Sequence, residues 1–271
     1  MKREGAFFDQ CIKKYFFFDI DQTLGVGITK VVPPDTQYCL DELQRCGHFV
    51  ALATGRLQYD AAQFASAHGI GSLVADGGNS LTVDGRLLQM EGLPLEPVKA
   101  LLRDLEQRRQ PWAVVIDNTY DRYTPYADYP RDDPHNYMNT LVGPVDIESL
   151  QNVYKVTYAR EKAGKSPAPT HGLPHLPFID DTYLVEPVDK GKGIEKMMAL
   201  LHANPHDAVV FGDGLNDLAM FRKPFFSIAM GNARPILKKR ADYITKDVDK
   251  GGILYACRHF GWLPEDPAAP F

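Results

Sequence analysis

Tyr15-Phe16-Phe17-Phe18-Asp19-Ile20-Asp21-Gln22-Thr23-Leu24 is the stretch that decides the fold. Its aromatic run is too short for a helix and too apolar for a surface, so residues 15–20 read as a buried strand. Two carboxylates stand at its end, where a solvated charge has little structural purpose. Outward from it, Pro33 and Pro34 break the chain, and Asp35 or Thr36 is placed to cap a helix running to about Cys46 and stopping at Gly47. A second buried strand is expected at 49–53, a helix at 58–68 and a short strand at 73–75. Strand, helix, strand, helix, strand implies parallel pairing with right-handed crossovers.

The alternation returns near the end, with helices at 194–203, 215–221 and 233–240 and strands at 208–211, 226–230 and 243–245. Residues 264–271 read as a proline-rich tail. The middle is less regular. One helix is expected at 96–109, strands at 112–116 and 153–158, and loops at 121–134 and 162–177. The expected class is therefore α/β, a Rossmann-like parallel sheet split in sequence. Residues 1–88 and 183–271 form this core, and 89–182 an inserted α+β domain.

The chain has 271 residues and a net charge of −5, which does not favour nucleic acid as a partner. No apolar run approaches the roughly 20 residues of a membrane span, and residues 1–14 lack an apolar signal core. Cys11, Cys39, Cys46 and Cys257 include no Cys-x-x-Cys pair. They read as reduced packing residues of a cytoplasmic protein.

Ligands of open α/β sheets collect beyond the carboxyl ends of the strands, and four polar clusters fall there. In the first, Asp19 has the ordinary charge of a nucleophile, while a nearby Asp21 is placed to serve as acid and base; an Asx turn explains the same pair without chemistry. The second, Thr54-Gly55-Arg56, offers a hydroxyl and bare N–H groups to a phosphate, or simply caps a helix. The third, Lys190-Gly191, offers a cation, with Lys192 as rival and a solvated lysine as the plain alternative. The fourth, Gly212-Asp213-Gly214-Leu215-Asn216-Asp217, sets two hard carboxylates four residues apart, which suits Mg²⁺ better than a calcium loop; a turn before a capped helix is the other reading. Together the four supply every part that phosphoryl transfer needs. Asp19, Asp213 and Asp217 would repel one another and a phosphate, a conflict that a divalent cation removes.

With these motifs in this order, the chain resembles the haloacid dehalogenase superfamily, in its Cof-type sugar-phosphatase branch with a large second-type cap. Ala229-Met230-Gly231-Asn232-Ala233, 241–245 and Gly251-Gly252-Ile253 add to the likeness. The resemblance implies that Asp19 is the nucleophile and a magnesium ligand. Asp21 is then the acid/base, lending its backbone carbonyl to the metal, with Asp213 completing the protein shell and Asp217 supporting it directly or through water. Thr54, Gly55, Lys190 and Asn216 hold the phosphate, and the irregular middle is the cap. Two features depart from the branch. Gln22 stands where Gly is usual, and Asp76-Gly77-Gly78-Asn79 stands where relatives often carry Asn-Gly, so Asn79 receives no role.

The expected activity is Mg²⁺-dependent hydrolysis of small phosphorylated metabolites through an aspartyl-phosphate on Asp19. The substrate is of sugar phosphate, nucleotide or pyridoxal phosphate type, and the protein a monomer or small homo-oligomer. A phosphotransferase or mutase using the same intermediate, or a phospho-ligand sensor without turnover, are the alternatives. Tyr120, Tyr123, Tyr126 and Tyr129, with Arg122 and Arg131, read first as packing and second as a surface for a sugar or base. His171 and His175 read as exposed loop residues.

Overall fold

Three consecutive phenylalanines stay dry only in a strand covered on both faces, and Phe16, Phe17 and Phe18 are each 0% exposed. The computed structural model describes residues 12–27, 31–129, 138–161, 166–178 and 181–264. Its first half runs β1 (Tyr15–Phe18), α1 (Pro34–Arg45), β2 (Phe49–Ala53), α2 (Gln58–Ala67), β3 (Ser72–Ala75), β4 (Ser80–Val83), β5 (Arg86–Met90), α3 (Leu95–Arg108), β6 (Trp112–Val115) and β7 (Asp121–Thr124). There follow β8 (Asn139–Val142), β9 (Lys155–Ala159), β10 (His175–Pro177), β11 (Thr182–Val185), α4 (Lys190–Leu200), β12 (Ala208–Gly212), β13 (Phe226–Ala229), α5 (Pro235–Arg240), β14 (Tyr243–Ile244) and α6 (Gly252–His259).

One sheet has the order β14-β13-β12-β1-β2-β3-β4-β5. Pairing is parallel from β14 to β3, as expected, but an antiparallel β4–β5 hairpin extends the edge. The second sheet has the order β10-β11-β9-β6-β7-β8, with α3 packed through Val98, Leu101, Leu102 and Leu105 in its apolar cluster. The chain leaves the first sheet after Met90 and the second after Val185, where the sequence reading set the crossings at 88 and 182.

Several expected elements shift. Pro34 opens α1, and no side chain of Asp35 or Thr36 caps it; Asp35 sits in the first turn, where its charge complements the dipole. Lys190-Gly191 opens α4, as its place after 185–187 implies, with Asp189 accepting from the Lys192 N–H; the helix ends at Leu200, short of the expected 203. Residues 215–217 form only a 3₁₀ turn. The expected loop at 121–134 contains β7, with alternating burial. An arginine hides that alternation in the sequence: Arg122 faces inward, 4.9 Å over the Tyr129 ring, and donates to Thr140 Oγ1. The expected loop at 162–177 ends in β10, where His175 is half-buried and shares a 2.6 Å hydrogen bond with the Tyr158 hydroxyl; His171 meets Asp104 at 2.7 Å.

Tyr123, Tyr126 and Tyr129 are engaged within the fold, and Tyr120 lies 6.3 Å from the Tyr59 ring. Tyr129 is buried and bonded to Thr157, Tyr126 lies edge-on to Trp112, and Tyr123 donates to Asp117. Arg131 and Cys11 lie outside the described residues. The other three cysteines are free thiols, with Cys39 and Cys257 buried where α1 meets α6. Among the described residues no helix is long and apolar enough to cross a membrane.

Candidate active site

Parallel strands leave their carboxyl ends at one edge, so β1, β2 and β12 deliver their next residues to a common place. Asp19 follows β1, is 3% exposed, and its N–H bonds to the Phe211 carbonyl of β12 at 3.0 Å. Thr54 follows β2 and is buried; its hydroxyl accepts from the Arg56 N–H at 3.1 Å. After β12, the chain turns through Gly212 and Gly214 to Asp217. The Asp217 Oδ2 accepts from the N–H groups of Asp213 and Gly214, both at 2.9 Å, which fixes the turn.

Lys190 ties these pieces together. Its Nζ lies 2.5 Å from Asp19 Oδ1 and 2.6 Å from Asp217 Oδ1, and its side chain is 1% exposed. Lys192, its rival in the sequence, is exposed. Carboxylate oxygens of Asp19, Asp213 and Asp217 all lie within 4.8 Å of one another, and the Thr23 hydroxyl donates to Asp213 at 3.4 Å. Asp19, Asp21, Thr54, Gly55 and Asn216 line one cleft of about 230 Å³. The structure thus gathers Asp19, Asp21, Thr54, Gly55, Lys190, Asp213, Asn216 and Asp217 in one region, although 170 residues separate its first and third motifs.

The electrostatics are those of an acidic site short of positive charge. Burial, then the charge of Asp217, pushes the Asp19 carboxyl well above the usual range, against the pull of Lys190. Burial and Asp217 likewise push Asp213 up to about 7. Burial pulls the Lys190 ammonium down, but Asp19 and Asp217 outweigh it and hold its pKa above the ordinary lysine value. Without a cation, ionising Asp213 works against folding as pH rises toward 7. A divalent ion reverses that cost, so the donor set fits one. Asp19 and Asp213 offer it oxygens. Both oxygens of Asp217 are already engaged, one by Lys190 and one by backbone N–H groups.

Some residues at the site were not foreseen. Arg56 stood inside the quoted motif, yet its grip was not evident. Its Nη2 lies 2.6 Å from Asp21 Oδ1, its Nε 3.2 Å from Oδ2, and its Nη1 3.1 Å from Asp60. Asp60 lies four residues on, in the first turn of α2. Lys155 of β9 donates to the Gly55 carbonyl at 2.6 Å and pairs with Glu186, joining the second sheet to the Thr54–Arg56 loop. No local pattern signals a contact 100 residues apart. The 76–79 turn braces the same loop: Asp76 N–H bonds to Arg56 O at 2.9 Å and Gly77 N–H to Thr54 O at 3.1 Å. Asn79 instead donates to the Glu91 carbonyl.

Gln22 proves to have a positive φ of 64°, the conformation that glycine adopts freely. Its side chain compensates slightly, accepting from Gly27 N–H at 3.2 Å. Gln22→Gly is expected to stabilise the protein by about 0.5 kcal/mol, the relief of left-handed strain exceeding the added chain entropy and the lost exposed bond. Urea unfolding measures the difference; a loss of stability would contradict the strain assignment.

Fold and site define an α/β enzyme of the phosphoryl-transfer kind, with acidic groups and the Thr54–Arg56 loop at the ends of parallel strands. The chain belongs to the haloacid dehalogenase-like hydrolase family, whose model matches residues 16–170 and 183–257. It is 30% identical over 267 residues to YkrA of Bacillus subtilis (strain 168), provisionally named a phosphatase, covering 92% of this chain and 98% of that one. A crystal structure of a protein from Geobacillus kaustophilus HTA426 superposes with a TM-score of 0.82 at 28% identity, over 93% of this chain and all of that one. The subclass IIB sugar phosphatase BT4131 superposes with a TM-score of 0.73 at 25% identity over the same shares. The chain is a phosphatase-type hydrolase of this family.

Proposed function

We propose that the protein hydrolyses small phosphorylated metabolites in a Mg²⁺-dependent reaction through an aspartyl-phosphate on Asp19. The observation that carries this reading is the convergence of Asp19, Asp213 and Asp217 within 4.8 Å beside a cleft edged by Thr54, Gly55 and Asn216. Asp19 Oδ attacks phosphorus, forming the acyl phosphate as the bond to the leaving oxygen breaks, and Asp21 gives that oxygen a proton. Asp21 then takes a proton from water as the water displaces Asp19 from phosphorus, releasing phosphate. Arg56 orients Asp21 through both carboxylate oxygens. Thr54, Gly55 and Asn216 hold the phosphate oxygens, and Lys190 adds fixed positive charge from behind Asp19.

Side chains of Asp19 and Asp213, with the Asp21 carbonyl, would hold Mg²⁺, which supplies the positive charge this acidic site lacks. Asp217 acts behind this set, fixing Lys190 and the 213–214 turn. In this reading residues 91–185 form the cap and the flanking segments the catalytic core. The buried free thiols suit a reducing, cytoplasmic setting.

Phosphate release from an aryl phosphate tests the proposal: release with Mg²⁺ and none after chelation is expected, and metal-independent release would sink the metal assignment. Mg²⁺ should also stabilise the fold, by about 2.7 kcal/mol at one hundred times its Kd. Asp213→Asn is expected to match or exceed the metal-free stability of the parent, because a repelling carboxyl is gone, yet to lose most of the metal-dependent increment. Thermal unfolding with and without Mg²⁺ reads both; an undiminished increment would show that Asp213 is not a ligand.

A further inference from the structure

Two kinds of residue line the cleft. At the phosphate end stand Thr54, Gly55 and Asn216 with the carboxylates. Beside them, Leu57, Met138, Phe178 and Leu184 form an apolar wall, Met138, Phe178 and Leu184 coming from the second-sheet side, and Arg56, Asp60, Lys155 and Glu186 complete the lining. Leu57, Met138 and Leu184 are each 6% exposed, so they are fixed in place and present carbon to the cleft. The charged groups lining this space are matched to one another: Arg56 to Asp21 and Asp60, Lys155 to Glu186 and the Gly55 carbonyl.

Size narrows the choice. About 230 Å³ is below the roughly 300–1,000 Å³ common for small-molecule sites, and the phosphate takes part of it. A hexose fits by volume, but Leu57, Met138, Phe178 and Leu184 offer its hydroxyls no partner, and the charged side chains beside them are already paired with one another. A flat ring buries its faces against the same side chains without that loss.

Resting on the phosphatase reading above, we propose that the substrate is a phosphate monoester whose organic part is one compact, largely apolar ring, and that Phe178 and Leu184 select it. The test compares benzyl phosphate with glucose 6-phosphate in the presence of Mg²⁺. Titration calorimetry on the Asp19→Asn protein measures binding without turnover. Benzyl phosphate is expected to bind at least about tenfold more tightly, the scale on which apolar pockets discriminate. Phe178→Asn in the same background should narrow the ratio toward one; Phe178 is only half-buried, so its replacement spares the core. Equal or reversed affinities, no binding of either ester, or a ratio indifferent to Phe178→Asn would overturn the proposal. Wild-type turnover of an aryl phosphate, assayed alongside, decides the phosphatase reading separately, since the binding ratio does not depend on it.

Discussion

Asp19→Asn is expected to lower phosphate release by roughly 10⁴-fold or more, the scale on which an enzyme loses its nucleophile. The fold should survive. An amide keeps the size of the carboxyl and an oxygen for Lys190 to donate to, and Lys190 retains its second partner in Asp217 at 2.6 Å. Removing one member of a crowded acidic group also relieves repulsion, so the thermal midpoint should hold or rise. Rate and unfolding must be measured on the same preparation. A variant that stays folded and still turns over at a tenth of the parental rate would remove Asp19 from the reaction; an unfolded one would show that its pairing with Lys190 carries more of the stability than the geometry implies.

Gly77→Ala is the second change with a large expected effect, and it acts through the backbone. A Cβ at residue 77 would lie 1.8 Å from the Pro187 carbonyl oxygen, and φ there is 59°. Gly78 is similarly pressed, 2.2 Å from the Asp189 carbonyl. Left-handed strain contributes about 1–2 kcal/mol and the overlap with main chain several more, for a total of about 4 kcal/mol. That is much of the roughly 5–15 kcal/mol holding a domain together. Gly85→Ala separates the two causes, because φ is 78° there with nothing within 4 Å of the added carbon. It should show the strain alone, about 1 kcal/mol. Equal losses in urea unfolding would mean that residues 187–190 yield easily and that the close approach is not a constraint. Where the Gly77 variant folds, Lys190 should be displaced with its loop and activity lost as well.

These two residues mark what a sequence does and does not display. Asp19 was legible because a carboxylate ending the apolar run 15–18 breaks the logic of burial. The same contrast exposed Thr54 after β2 and Asp213 after β12, and strand–helix alternation placed all three at one sheet edge. Gly77 and Gly78 were visible as letters but not as a contact, since their meaning lies in Pro187 and Asp189, more than a hundred residues away. Lys155 is a lysine within an otherwise ordinary strand, and only the folded chain shows its ammonium on the Gly55 carbonyl. The β4–β5 hairpin was missed because 80–90 mixes exposed leucines with charge. Strand β7 was missed because a buried arginine masks its period.

Strand β1 lies between β2 and β12, so one of its two neighbours is encoded early and the other almost two hundred residues later. On the ribosome, the first quarter of the protein emerges with one flank of β1 open and waits through the synthesis of the second-sheet segment before Ala208–Gly212 arrives. Nascent chains ending short of that segment have neither Lys190's second partner, Asp217, nor the Asp213 turn. The residues of the site are therefore complete only once residue 217 has been made, and until then Phe18 lacks the Phe211 ring that packs on it.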